Sequence, residues 1–135
     1  MPMVDFGPIR KAFPDLFART ESGWVESAAV GTGWTNLVWD LFGKLDALSK
    51  RRVAEGHPAL RLSVVKEKYG VLRVDLRDGF VLEAEDLIDE AEAVSETICE
   101  ECGRPGRLCT ELRWMKTLCT YHEIEATPLD EGPVQ

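Results

Sequence analysis

Histidine is scarce in this chain of 135 residues: only His57 and His122 occur. Histidine-metal nucleases need histidines beyond those that hold a structural ion, so that chemistry has nothing to spare here. There is no glycine-rich phosphate loop, no serine–histidine pairing and no nucleophile elbow. No apolar run approaches the length of a bilayer span. The opening "MPMVDFGPIRK" lacks a basic stretch followed by an apolar one, so no signal peptide is expected. These absences lead us to expect a soluble, cytoplasmic protein without enzymatic activity and with no catalytic residues. In such a compartment four cysteines favour a metal over disulfides. Hydrophobic residues at 44% and charged ones at 30% fit a folded domain and argue against disorder.

Charge is unevenly spread. Residues 1–60 carry seven bases and seven acids. Residues 61–77 are net +3, and 102–122 are again net +3. Between them, residues 78–101 hold ten acids and no base. With four more acids from 123 onward, the chain reaches −8.

Hydrophobic periodicity places the elements. Residues 8–19 read as a short helix interrupted at Pro14, and 20–33 as irregular, with Gly23, Gly31 and Gly33 as breakers. Trp34, Leu37, Val38, Leu41, Phe42, Leu45 and Leu48 then form a helical stripe, with "SKRR" at its C-terminal end and "EGHP" as a stop. From residue 60 the period becomes two: Leu60, Leu62 and Val64, then Leu72, Val74 and Leu76 with Arg73, Asp75 and Arg77 between them. A hairpin turning near Gly70 is expected, ending at Asp78 and Gly79. The long helix should pack on a sheet face of Leu62, Val64, Leu72, Val74 and Leu76. Residues 83–98 return to the helical period, burying Leu87, Ile88, Ala91, Val94 or Ser95, and Ile98. Glu85, Asp86, Asp89, Glu92 and Glu96 should project together on the other side as a partner-binding face.

The motif with most chemical content lies at the C-terminal end. Cys99 and Cys102 are two residues apart and precede Gly103; Cys119 and His122 repeat the gap. Two such pairs match a tetrahedral zinc site. The order of knuckle, hairpin and helix start is that of a treble clef. A four-cysteine site using Cys109 in place of His122 is the alternative, and His122 is preferred because it restores the second pair's spacing. The bland reading is a set of buried free thiols. Four protein ligands would close the ion's shell, so the zinc is read as structural. The expected architecture is α+β: an α+β body over residues 1–98 with helices on a small antiparallel sheet, a zinc subdomain over 99–126 packed on it, and a flexible tail over 127–135.

"GTGWTNLVWDL", "VVKEKYGVLRV", "LIDEAEAVSETICEECGRPGRL" and "WMKTLCTYH" resemble, in that order, a family of small bacterial and phage proteins. Its members carry a glycine–tryptophan helix start, a "VKEKFG-LRF"-like strand pair and a C-terminal zinc knuckle ending in cysteine–two–histidine. The resemblance spans about residues 24–122. Val71 and Val74 to Leu76 replace a more aromatic strand end, and Cys109 is additional. Members occur among prophage genes and near toxin genes, which implies an immunity or antitoxin role.

Two functions from different classes follow. The acidic helix suits an immunity-type inhibitor that docks a basic protein partner, a toxin or nuclease. Its bland counterpart is a helix that only confers solubility. The basic strands (Arg61, Lys66, Lys68, Arg73, Arg77) and the basic hairpin (Arg104, Arg107, Arg113, Lys116), with Tyr69 and Trp114, suit a nucleic-acid-binding regulator. The net charge disfavours this second reading.

Overall fold

The computed structural model describes residues 2–17, 27–77 and 79–127. The end of the expected first helix (18–19), most of the irregular stretch (20–26), Asp78 and the tail from 128 lie outside the described residues. Helix α1 (Phe6–Ala12) starts at Asp5, whose carboxylate accepts from Gly7 N–H at 2.9 Å. It ends two residues before Pro14, as the restriction on pre-proline residues requires. Strand β1 (Ser27–Ala29) leads through a short turn (Thr32–Trp34) into helix α2 (Thr35–Ala54). Strands β2 (Leu62–Lys68) and β3 (Val71–Leu76) follow, then α3 (Leu82–Ser95), β4 (Arg107–Cys109), β5 (Lys116–Leu118) and α4 (Thr120–Ala126). The fold class is α+β, as expected.

β2 and β3 pair antiparallel through a two-residue turn, Tyr69–Gly70, with positive φ at both positions. β1 was not expected. It pairs parallel to β2 on the far side, so β1–α2–β2 forms a crossover unit and the sheet order is β1–β2–β3. Three residues containing two alanines carry no strand periodicity; the pairing partner supplies the order. β4 and β5 make a separate antiparallel hairpin.

The core joins the α2 stripe to the sheet and α3. Trp34, Leu41, Phe42 and Leu45 are buried with Leu62, Val65, Leu72, Val74 and Ile88, and with Phe6, Ile9, Leu16 and Phe17 from the N-terminal segment. Val64 is a correction: it is half-buried, and Val65 faces the core. The cause is a register shift between Leu62 and Val64, where β2 spends two residues against one of β3. One inserted residue flips every later side chain.

Glu92 is a second correction. It does not project with its acidic neighbours: its carboxylate accepts from Val74 N–H at 3.2 Å. One turn on, Ser95 Oγ accepts from Leu72 N–H at 3.0 Å and donates to Glu92 C=O at 2.6 Å. These two side chains occupy the N–H groups of Leu72 and Val74 on β3, the last strand of its sheet, and so block that stretch of the edge from pairing with another chain. Ser95, and not Val94, therefore completes the buried stripe of α3; Val94 is exposed.

Burial lifts the Glu92 carboxyl above its ordinary 4.5, against the Val74 hydrogen bond and nearby Arg73, which pull it down. The fold thus favours the protonated acid. Its contribution is complete below the ordinary value and is lost as pH rises through the folded one. Glu92→Gln keeps the acceptor at every pH. It should raise Tm above wild type at neutral pH, with the gain vanishing as pH falls below about 4.5. Glu92→Ala, which strands the Val74 N–H, should cost about 1 kcal/mol or more in thermal or denaturant unfolding.

Candidate metal centre

The chain around Cys99 is shaped by its backbone. Gly103 N–H donates to Cys99 C=O at 2.9 Å, with Gly103 at φ +82°, and Cys99 N–H donates to Arg104 C=O at 2.8 Å. This tight turn brings Cys99 and Cys102 to one side. Glu100 N–H donates to Thr117 C=O at 3.0 Å, and Gly106 N–H to Thr97 C=O at 2.9 Å, so the turn is tied to β5 and to the end of α3. The β4–β5 hairpin then returns the chain to Cys119, the residue that precedes α4, and His122 follows one turn in. Arg107 and Glu123 form an ion pair that fastens β4 to α4.

Cys99, Cys102, Cys119 and His122 converge, with ligand atoms all within 4.8 Å of one another. Cys99 Sγ lies 3.6 Å and Cys119 Sγ 3.3 Å from His122 Nδ1, and Cys102 Sγ lies 3.7 Å from Cys119 Sγ. A tetrahedral ion with metal–sulfur bonds of about 2.3 Å and metal–nitrogen bonds of about 2.0–2.1 Å needs S···S edges of about 3.8 Å and S···N edges of about 3.6 Å. These three separations lie within about 0.3 Å of those edges. All four cysteines are free thiols, and a disulfide would need a sulfur separation of about 2 Å. Cys99 and Cys119 are buried, His122 is half-buried, and Cys102 lies at the surface.

The surroundings favour the charged form of one ligand. The Cys119 thiol is pulled down to about 6, first by the backbone N–H of His122, with the His122 ring and the two neighbouring thiols acting in the same direction against burial. A cysteine before a helix meets N–H groups in the first turn, which stabilise a thiolate. On the other edge of the His122 ring, Nε2 faces Glu101 Oε1 at 3.7 Å. A carboxylate in that place orients a ligating imidazole with Nδ1 toward the ion.

Cys109 stands apart from this group. Its thiol is buried and donates to Arg107 C=O at 3.4 Å, and burial pushes it up, away from the thiolate form. His57 is exposed in the loop after α2. Of the expected partner face, Asp86, Asp89 and Glu96 are exposed, Glu85 is half-buried, and Glu92 is turned to β3.

No family model matches the chain, nor does any curated protein or solved structure.

The residues that sequence reading passed over are those that seat the knuckle. Gly33 N–H donates to Glu100 C=O at 2.6 Å, and Trp34 Nε1–H donates to Ile98 C=O at 2.9 Å. Thr32 Oγ1 donates to Glu101 C=O at 3.2 Å, and Gly31 N–H donates to the Glu100 carboxylate at 3.1 Å. A Cβ on Gly33 would fall 2.0 Å from Cys99 O and 2.6 Å from the Glu100 carbonyl. Glu100 itself is buried, and burial lifts its carboxyl against the Gly31 hydrogen bond and nearby Lys116. Two glycines flanking a threonine before a tryptophan are the available signal, and their spacing reads only as breakers ahead of a helix.

Protein purified without added metal should contain one ion per chain, and metal analysis should find it kept in Cys109→Ser. His122→Ala and Cys99→Ser should lose it or bind it far more weakly. Gly33→Ala forces two backbones apart without touching a ligand. It should cost about 3 kcal/mol or more of stability and lower metal affinity, read by unfolding and chelator competition.

Proposed function

We propose that this protein is a non-catalytic inhibitor of the immunity or antitoxin type, built on a treble-clef-like structural zinc site and docking a basic bacterial toxin through α3. Zinc is the natural occupant of three thiolates and an imidazole. Four mutually close donors leave the ion no side for a substrate, which supports a structural role. Such an ion contributes on the order of 10 kcal/mol to the folding of its subdomain.

One observation carries the docking surface. The cations that α2 turns toward α3 are already neutralised: Lys44 by Asp40 at 3.1 Å and Arg51 by Glu83 at 2.6 Å. No cation pairs with Asp86 or Asp89 among the described residues. Asp86 and Glu90 rim a groove of about 580 Å³ between the helices, with Ala47, Leu48 and Leu87 beneath. Exposed acids without a paired cation, beside apolar surface, suit a basic partner better than they suit water alone. The resemblance to proteins encoded near toxins supports the same reading.

The test reverses the two exposed acids of α3 that no cation pairs. Asp86→Lys with Asp89→Lys should leave Tm nearly unchanged, because exposed charges contribute little. It should abolish low-salt capture of a basic partner from the native host and relieve the toxicity block in co-expression. Wild-type affinity should fall as salt rises. Equal capture by both proteins at low and high salt would refute the acidic face.

A further inference from the structure

The two basic segments, separate in sequence, meet in the fold. Thr117 Oγ1 donates to Gly70 C=O at 2.8 Å, and both groups are buried. A Cβ on Gly70 would lie 2.9 Å from Lys116 N and 2.7 Å from Leu108 Cδ1. The tip of the β2–β3 hairpin is therefore pressed onto β4–β5. Tyr69 precedes Gly70 and Trp114 lies two residues before Lys116, so chain geometry holds their Cα atoms within about 15 Å.

Both rings stand in solvent, Tyr69 at 70% exposure and Trp114 at 72%. Tyr69 is the more telling. Its φ is +54°, a left-handed conformation that asparagine or glycine adopts at lower cost in a two-residue hairpin turn. Burial does not compensate: the ring packs little and carries the Lys68 ammonium 5.7 Å from its centroid. A bulky aromatic kept at a strained and exposed turn position calls for a function. Around it, Arg73 is paired with Asp75 and Arg107 with Glu123. Among the described residues no ion pair engages Lys66, Lys68 or Arg113; Lys116 lies beside the buried Glu100 carboxylate, Glu111 is the acid of the 110–115 loop, and the Glu67 carboxylate is engaged by Gly70 N–H.

We propose that the Tyr69 turn and the Arg113–Trp114 loop form a stacking platform for single-stranded nucleic acid. Flat rings beside cations suit bases that stack and phosphates that follow them. A duplex hides its base faces and brings denser charge toward a chain of net −8. Stacking and charge read no 2′-hydroxyl, so ribose and deoxyribose strands should bind alike. This surface lies on elements other than α3, so it stands independently of the inhibitor reading.

The experiment uses the metal-loaded chain and fluorescein-labelled 12-mers of oligothymidylate and oligouridylate, followed by anisotropy. Both should bind, with log K falling against log salt at a slope of about −2 to −3 for three or four phosphates. A duplex of equal length and a polyglutamate peptide should bind at least tenfold more weakly. Trp114→Ala should weaken oligonucleotide binding about tenfold or more with metal content unchanged. Tyr69→Asn should raise Tm while weakening binding to a similar degree, a pairing of effects that a purely structural tyrosine would not give. Absence of saturable binding at about 50 mM salt overturns the platform, as does equal binding of polyglutamate. So does unchanged affinity in both aromatic variants.

Discussion

Gly33 lies against the Cys99–Glu100 peptide so closely that no side chain fits between them. Much of the molecule depends on that contact. It fixes where α2 begins, because the same turn places Trp34 at the helix start with its indole N–H on Ile98 C=O. It also fixes where the Cys99–Cys102 turn sits, because Gly31, Thr32 and Gly33 together engage the backbone and carboxylate of residues 100–101. The hydrophobic core and the cysteine cluster are thus two ends of one rigid connection. Backbone hydrogen bonds made in a buried place are costly to break, since neither partner regains water.

A second connection closes the circuit. Thr117 on β5 holds Gly70 through its hydroxyl and Glu100 through its carbonyl, so the β2–β3 tip, the Cys99–Cys102 turn and the β4–β5 hairpin share one residue. An ion bound by Cys99 and Cys119 would stabilise segments far beyond its ligands, because each ligand's neighbours hold another element. The buried Glu100 sits within this coupling. Its carboxylate bridges toward Gly31 and lies near Lys116, and its place in the interior is set by the strands around it.

Charge is sorted by the fold in a way that composition obscures. The ten acids of residues 78–101 have separate roles. Glu92 caps the edge strand, Glu83 pairs with Arg51, Glu100 is buried, and Glu101 faces His122. Among the described residues, the acids of this segment that reach water without a cation are a narrower group that includes Asp86 and Asp89. The cations undergo the opposite process, since two modest basic segments become neighbours at Gly70 and Lys116. A net charge of −8 therefore describes neither surface.

The sequence by itself determined what depends on local spacing. The α2 stripe, the turn at Gly70 and the pairing of Cys99–Cys102 with Cys119–His122 follow from periods of 3.6 and 2 and from the two-residue gap of metal ligands. The tertiary structure decided whatever needs a partner distant in sequence. β1 is a strand because β2 lies beside it, and Val65 replaces Val64 in the core because β3 pairs out of step with β2. Glu92 is an edge cap because an N–H group on another element waits for it. Gly31, Thr32 and Gly33 seat the knuckle because it folds back across some seventy residues, and no local pattern encodes the face a returning chain will meet.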